Sequence, residues 1–235
     1  MKVEIWSDVM CPFCYIGKRR LEDALQQLPF KSDIEVEWKS YQLDPGIKNE
    51  PGKNVNQYLA ERKGMTVLQA SQMNEQVTRM AAEVGLEYNF DKAVVANSFD
   101  AHRFSHLAAQ HGLGDAAEER LFRAYFTEGK NIAKIDTLVE LGTEIGLNGT
   151  EVKQTLETGA YAQAVHQDID EAQALGVRGV PFFVLDRKYA VSGAQPVEVF
   201  KQALESAYTE WKAEKEKNPL TIVDGPACSP DGDCK

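Results

Sequence analysis

Strand-like alternation is confined to the two ends of this chain, and the long stretch between them reads as helix. Near the start, Val3 and Ile5 alternate with Lys2 and Glu4, and Ile34, Val36 and Trp38 alternate with Glu35, Glu37 and Lys39. Between them Leu21, Ala24, Leu25 and Leu28 follow helical spacing, and Pro29 closes that helix because its ring cannot extend one. A single connecting helix suits a parallel crossover, so this part reads β-α-β. The strand signal returns only at Val180-Pro181-Phe182-Phe183-Val184-Leu185, apolar on both faces like a buried central strand. Asp186-Arg187-Lys188 is then a turn, Tyr189-Ala190-Val191 a partner strand ended by Gly193, and Gln195-Pro196 the opening of a last helix. Phe200, Ala203, Leu204, Ala207 and Trp211 give that helix its apolar face. The expected architecture is α/β: one sheet, split in sequence by an all-helical insertion.

The insertion follows a turn-rich stretch from Leu43 to Lys63, marked by Asp44-Pro45-Gly46 and Glu50-Pro51-Gly52. Four apolar stripes then each end on a glycine, the usual left-handed helix stop. They are Val77, Met80, Ala81 and Val84 before Gly85; Phe104, Leu107 and Ala108 before Gly112; Leu138, Leu141 and Ile145 before Gly146; and Val165, Ile169 and Ala172 before Gly176. No fixed period repeats, which excludes a solenoid. The expected division is a discontinuous sheet domain over 1–50 and 170–212, a helical domain over 53–169, and a tail over 213–235. The tail ends in a Gly-, Pro- and Asp-rich run too polar to build a core.

A chain of 235 residues with net charge −10 has no basic footprint for nucleic acid, and its acidity disfavours an anionic membrane surface. No apolar run approaches a membrane span, and the N-terminus carries no cationic segment before an apolar one. A cytoplasmic protein is expected. Four cysteines are too few for a disulfide scaffold at this length, so cysteines at motif spacing point to redox chemistry or metal.

Cys11-Pro12-Phe13-Cys14 sits where the first strand gives way to a helix. A cysteine there meets unpaired backbone N–H groups and the positive end of the helix dipole, both of which favour a thiolate. Cys14, one turn on, is spaced to attack a mixed disulfide formed at Cys11. Pro12 fits the first turn, where no N–H is needed. The alternative is that the pair are small core residues or half of a zinc site. A zinc site needs a second close pair, and Cys228-x5-Cys234 is looser than usual ligand spacing.

Gly179-Val180-Pro181 opens the returning strand. With it, the sequence resembles the DsbA-type thioredoxin-fold oxidoreductases, and within them the FrnE-like cytoplasmic subfamily. The resemblance is carried by Ser7-Asp8, Cys11-Pro12-Phe13-Cys14-Tyr15-Ile16-Gly17, Asn97-Ser98, Ala101-His102-Arg103, Gly176-Val177-Arg178-Gly179-Val180-Pro181-Phe182-Phe183 and Ser192-Gly193-Ala194-Gln195-Pro196. It implies a thioredoxin fold with a large helical insertion, and a cis Val180-Pro181 bond beside the cysteines. It also implies Cys11 as nucleophile, Cys14 as resolving thiol, and a substrate strand met by Pro12, Phe13, Val180 and Pro181. Asn97, His102 and Arg103 would line the helical face over the cysteines. The substrate would be a protein or small-thiol disulfide; no cofactor is required, glutathione is open as thiol co-substrate, and the redox partner is unspecified. Periplasmic DsbA enzymes carry histidine where this chain has Phe13, which offers a thiolate no cation or donor. A weaker oxidant is expected.

Two other functions compete. Kappa-class glutathione transferases and 2-hydroxychromene-2-carboxylate isomerases use a similar scaffold, but typically have serine where Cys11 stands and do not require Cys14. A non-catalytic chaperone would keep its function without either cysteine. Cys228 and Cys234 are read either as a second redox pair exchanging with Cys11, or as a local staple or free thiols. His102 and His106 share a helix face but lack a third ligand, and are expected to be surface or interface residues rather than a metal site. Gly112-Leu113-Gly114-Asp115-Ala116-Ala117 follows a helix, not a strand, so it reads as a stop and a turn rather than a dinucleotide loop. Lys18-Arg19-Arg20 reads as a solvated helix face, with added positive potential near Cys11 as the alternative.

Overall fold

The structure is a computed structural model and describes residues 1–48 and 53–217. Among the described residues, β1 (Lys2–Ser7), β2 (Glu35–Ser40), β3 (Phe182–Leu185) and β4 (Tyr189–Ser192) form one sheet in the order β2-β1-β3-β4. β1 and β2 are parallel, pairing Val3 with Val36 and Ser7 with Ser40, while β3 is antiparallel to β1 and β4. β3 begins two residues later than the apolar run, since Pro181 has no N–H to give the ladder.

Alternation along the strands sets the layers. Val3, Ile5, Phe183 and Leu185 face α1 (Pro12–Gln26) and α9 (Val197–Lys217), packing with Leu21, Ala24, Phe200 and Leu204. Trp6 and Val184 point the other way, against Ala172 of α8 (Ala162–Ala174) and Val177. Asp168 fixes α8 to that side: its carboxylate accepts from Ser40 N (2.9 Å) and its carbonyl from Trp6 Nε1 (2.8 Å). The expected domain boundary at 170 therefore falls inside α8, and the tail expected from 213 begins inside α9.

The four predicted stripes lie on α3 (Val67–Glu83), α4 (Phe99–Gln110), α6 (Ile135–Glu144) and α8. Two further helices, α5 (Gly114–Phe126) and α7 (Gly149–Glu157), divide what sequence left as one helical block. Gly114 opens α5, so the turn expected there is shorter than the motif. A helix α2 (Val55–Lys63) also forms within the turn-rich stretch. It buries only Ala60, so no stripe announces it; its signal is the Asn54–Gln57 capping box and the left-handed Gly64 stop.

The first helix is shared between two cores. Its outer face joins the sheet, whereas Cys14, Tyr15 and Ile16 join the insertion core of Phe104, Leu121, Phe122 and Phe126. Lys18-Arg19-Arg20 is not a solvated face. Lys18 is buried against Glu22, Asp115 and Glu119, Arg19 Nη1 donates to Glu119 (2.9 Å), and Arg20 Nη1 donates to the Ala194 carbonyl (2.6 Å). Burial alone would lower the Lys18 pKa, but Asp115, Glu22 and Glu119 outweigh it and raise it. Lys18 and Arg19 clasp α1 to α5, and Arg20 ties it to the segment after β4.

Candidate active site

Cys11 is the N-cap of α1, in extended conformation (φ −88°, ψ 112°), with Pro12 in the first turn. No side chain caps this helix end and no acidic residue lies in its first turn, so its N–H groups are offered to an anion at the sulfur's position. Cys11 N donates to the Asp8 carbonyl (2.9 Å) and Cys14 N to the Cys11 carbonyl (3.0 Å), which fixes the turn between the two side chains. Both cysteines are free thiols and both are buried. The Cys11 thiol donates to the Val180 carbonyl at 3.4 Å, and the Val180-Pro181 peptide is cis.

The motif rests on a layer of buried groups. Burial pushes the Cys14 thiol well up, and the Cys11 sulfur beside it adds to that. Asp8, fully buried, accepts from Met10 N (3.1 Å) and Leu43 N (2.7 Å), tying the loop before the cysteines to the one after β2. His102 Nε2 lies 3.7 Å from Asp8 Oδ1, an ionic contact too long for a hydrogen bond. Burial lowers the His102 pKa, but the Asp8 carboxylate and smaller contributions from Glu118 and the Tyr41 backbone raise it overall. Tyr88 OH donates to the Pro12 carbonyl (2.6 Å), and the Tyr15 ring stacks on Phe122 with centroids 4.9 Å apart.

A mainly apolar cavity of about 380 Å³ opens over Cys11. Pro12, Phe13 and Val180 line it from the sheet side, and Tyr58, Met73, Val77 and Phe126 from the helical side. Phe13 is 38% exposed, so it contributes surface rather than core. Pro181 packs just behind, where a Cβ on Gly17 would come within 3.0 Å of its Cγ. A larger cavity of about 460 Å³ between β2, α4 and α5, lined by polar and apolar groups alike, contains no cysteine.

The cysteines, Pro12, Phe13, Val180 and Pro181 thus come together. Three residues expected on the helical face do not line the cavity over Cys11. Arg103 turns away to the end of α7, donating through Nε to the Ala160 carbonyl (2.7 Å) and through Nη1 to the Leu156 carbonyl (3.1 Å). It serves carbonyls that a helix end leaves unpaired. Asn97 holds the segment after β2, with its Nδ2 3.2 Å from the Pro45 and Ile47 carbonyls. His102 lies beneath the motif on Asp8. His106 meets a different carboxylate, Asp168, at 3.1 Å, and among the described residues no group of His, Cys, Asp and Glu is placed to hold a metal ion. Cys228 and Cys234 lie outside the described residues. Sequence reasoning gave no role to Ser7, Asp8, Gly17 or Tyr88. The available signal was two polar residues in a row, Ser7 and Asp8, at the end of the first strand and just before the motif.

A profile described as "DSBA-like thioredoxin domain" matches residues 2–205. The chain belongs to that family. As a DSBA-like protein it is 30% identical over 210 residues to the uncharacterized protein YwbO of Bacillus subtilis (strain 168), covering 86% of this chain and 94% of that one. It is 41% identical to the probable DsbA oxidoreductase SCO1869 of Streptomyces coelicolor, with a TM-score of 0.85 over 100% of this chain and 98% of that chain. A 2-hydroxychromene-2-carboxylate isomerase shares the fold at 17% identity and a TM-score of 0.65, over 92% of this chain and 98% of that one. The DSBA-like fold is the expected thioredoxin sheet with its helical insertion. Among the described residues no helix is long and apolar enough to cross a membrane.

Proposed function

We propose that this DSBA-like protein is a cytoplasmic thiol–disulfide oxidoreductase, with Cys11 as nucleophile and Cys14 as resolving thiol. The observation that carries this is the Cys11 thiol at an uncapped helix N-terminus, on the floor of the apolar cavity, beside the Val180 carbonyl. In the reductive direction the Cys11 thiolate attacks a substrate disulfide, forming a mixed disulfide and releasing one substrate thiolate. Cys14 then attacks the Cys11 sulfur, and the second substrate sulfur leaves and takes up a proton. The two cysteines end as a disulfide holding both electron equivalents of oxidation, and an external thiol donor such as glutathione returns the two electrons to close the cycle, with no bound cofactor in the exchange itself. Pro12, Phe13, Val180 and Pro181 would meet the substrate backbone, and the apolar wall suits a disulfide flanked by apolar groups.

The test is a glutathione redox titration with thiol trapping and mass spectrometry at each cysteine. Cys11 and Cys14 should switch together as a two-electron couple, with a midpoint more reducing than the roughly −120 mV of periplasmic DsbA because Phe13 supplies no donor. Cys11→Ser should abolish exchange, and Cys14→Ser should accumulate the mixed disulfide at Cys11. Cysteines that never pair, together with glutathione conjugation by the wild-type protein, would favour the transferase or isomerase reading instead.

A further inference from the structure

Ser7 is the last residue of β1, and alternation puts its side chain on the same face as Val3 and Ile5, beneath α1. Its backbone is fully used: it pairs with Ser40 across the ladder, and its carbonyl accepts from Tyr41 N at 2.9 Å. Its side chain is different. Ser7 is 2% exposed, and its hydroxyl is enclosed without any hydrogen-bond partner. A buried hydroxyl in that condition is a net cost that alanine would avoid. The sulfur it faces is that of Cys14, in the first turn of α1 just above the strand end.

We infer that the Ser7 hydroxyl is the hydrogen-bond donor that receives the Cys14 thiolate in the resolving step. This rests on the dithiol reading above. In the dithiol form the Cys14 thiol is neutral and needs no donor, which is why the hydroxyl stands idle. When Cys14 gives up its proton, the anion forms in a buried site. The Ser7 O–H and the Asp8 backbone N–H are then the groups that favour it. Working against it are burial and the Cys11 sulfur at the N-cap; the Tyr88 phenol, from the segment between α3 and α4, is held far above its ordinary pKa by burial and stays neutral. The Asp8 carboxylate lies 3.7 Å from His102 Nε2 of α4. The step itself is ordinary exchange. The Cys14–Cys11 bond forms, the bond from Cys11 to the substrate sulfur breaks, and the departing thiolate takes up the proton that Cys14 lost.

The experiment uses the full chain with Cys228 and Cys234 replaced by serine, with and without Ser7→Ala. A dithiobis-nitrobenzoate reaction followed in single turnover releases one chromophore when Cys11 attacks and a second when Cys14 resolves. We expect the first release within about twofold of the parent. The second should slow by about tenfold to a hundredfold at neutral pH, the usual range for a hydrogen bond to a charged group. Its pH profile should move up by about one to two units. The dithiol form of Ser7→Ala should be at least as stable to heat as the parent, since no bond is lost. An unchanged second phase and pH profile would overturn the inference while leaving the dithiol reading intact. Equal slowing of both phases with a lowered Tm would also overturn it, by reducing Ser7 to a packing residue. A parent protein that never gives a second release would remove the dithiol reading, and this inference with it.

Discussion

His102 carries the main electrostatic decision beneath the site. Asp8 is fully buried, accepts from two backbone N–H groups and has the His102 ring 3.7 Å away. Burial pulls the His102 pKa down, and Asp8, Glu118 and the Tyr41 backbone together raise it above its ordinary value. A raised folded pKa means that the protonated ring stabilises the fold. That contribution is fully present below the unfolded pKa, about 6.5, and is lost as pH rises through the higher folded value. His102→Leu removes the titration, and its packing cost does not depend on pH. Urea unfolding of both proteins should therefore give a wild-type advantage that is larger at pH 6 than at pH 9. An equal advantage at the two values would mean that folding leaves the ring's pKa unchanged, and a smaller advantage at pH 6 that the folded ring is neutral. The pairing could not be read from the chain. His102 and His106 share a helix face, but each meets its own carboxylate, Asp8 or Asp168, on a different element. Arg103 likewise depends on where α7 ends, which no local pattern reveals.

At the scale of elements, the site depends on how closely α1 approaches the Val180-Pro181 loop. Gly17 makes this approach possible: a Cβ there would lie 3.0 Å from Pro181 Cγ and 3.1 Å from Phe183 Cζ. The position is helical, so Gly17→Ala gains helix propensity while crowding the loop beside Cys11. The crowding should dominate, with a net destabilisation of about 1–2 kcal/mol measured by urea unfolding, within the range of overpacked cores. Thiol exchange at Cys11 should slow as well, because the Val180 carbonyl moves with the loop. A variant more stable than wild type with unchanged exchange would show that the loop yields freely. Elements whose signal is local were legible: the strand alternation, four helices with apolar stripes, and the cysteines at a strand-to-helix junction. α2 was not, because it buries one alanine and is announced only by its caps. The cation run on α1 was misread for the opposite reason. Its sequence looks solvated, and only the docking of α5 supplies Glu119 and Asp115 to bury it.

For the whole molecule, the consequence of sharing α1 is that the sheet and the insertion do not have independent cores. Tyr15 stacks on Phe122, and Cys14 is buried in the cluster that holds Phe104 and Leu121. The Lys18 and Arg19 ion pairs with Glu119 reinforce the same junction from its edge. An insertion that merely roofed the site could unfold and leave the cysteines in place; one whose core includes Cys11 and Cys14 cannot. Phe122→Ala tests this from the helical side, far from the sulfurs in sequence. Removing a fully buried ring should cost about 3–5 kcal/mol. Unfolding followed by far-ultraviolet circular dichroism and by Cys14 alkylation should show one transition by both probes in wild type, shifted together in the variant. Cys14 becoming reactive well before the helical signal falls would mean that α1 leaves the insertion while the helices persist. The helical block would then be a separate unit, and the active-site turn would owe its order to the sheet alone.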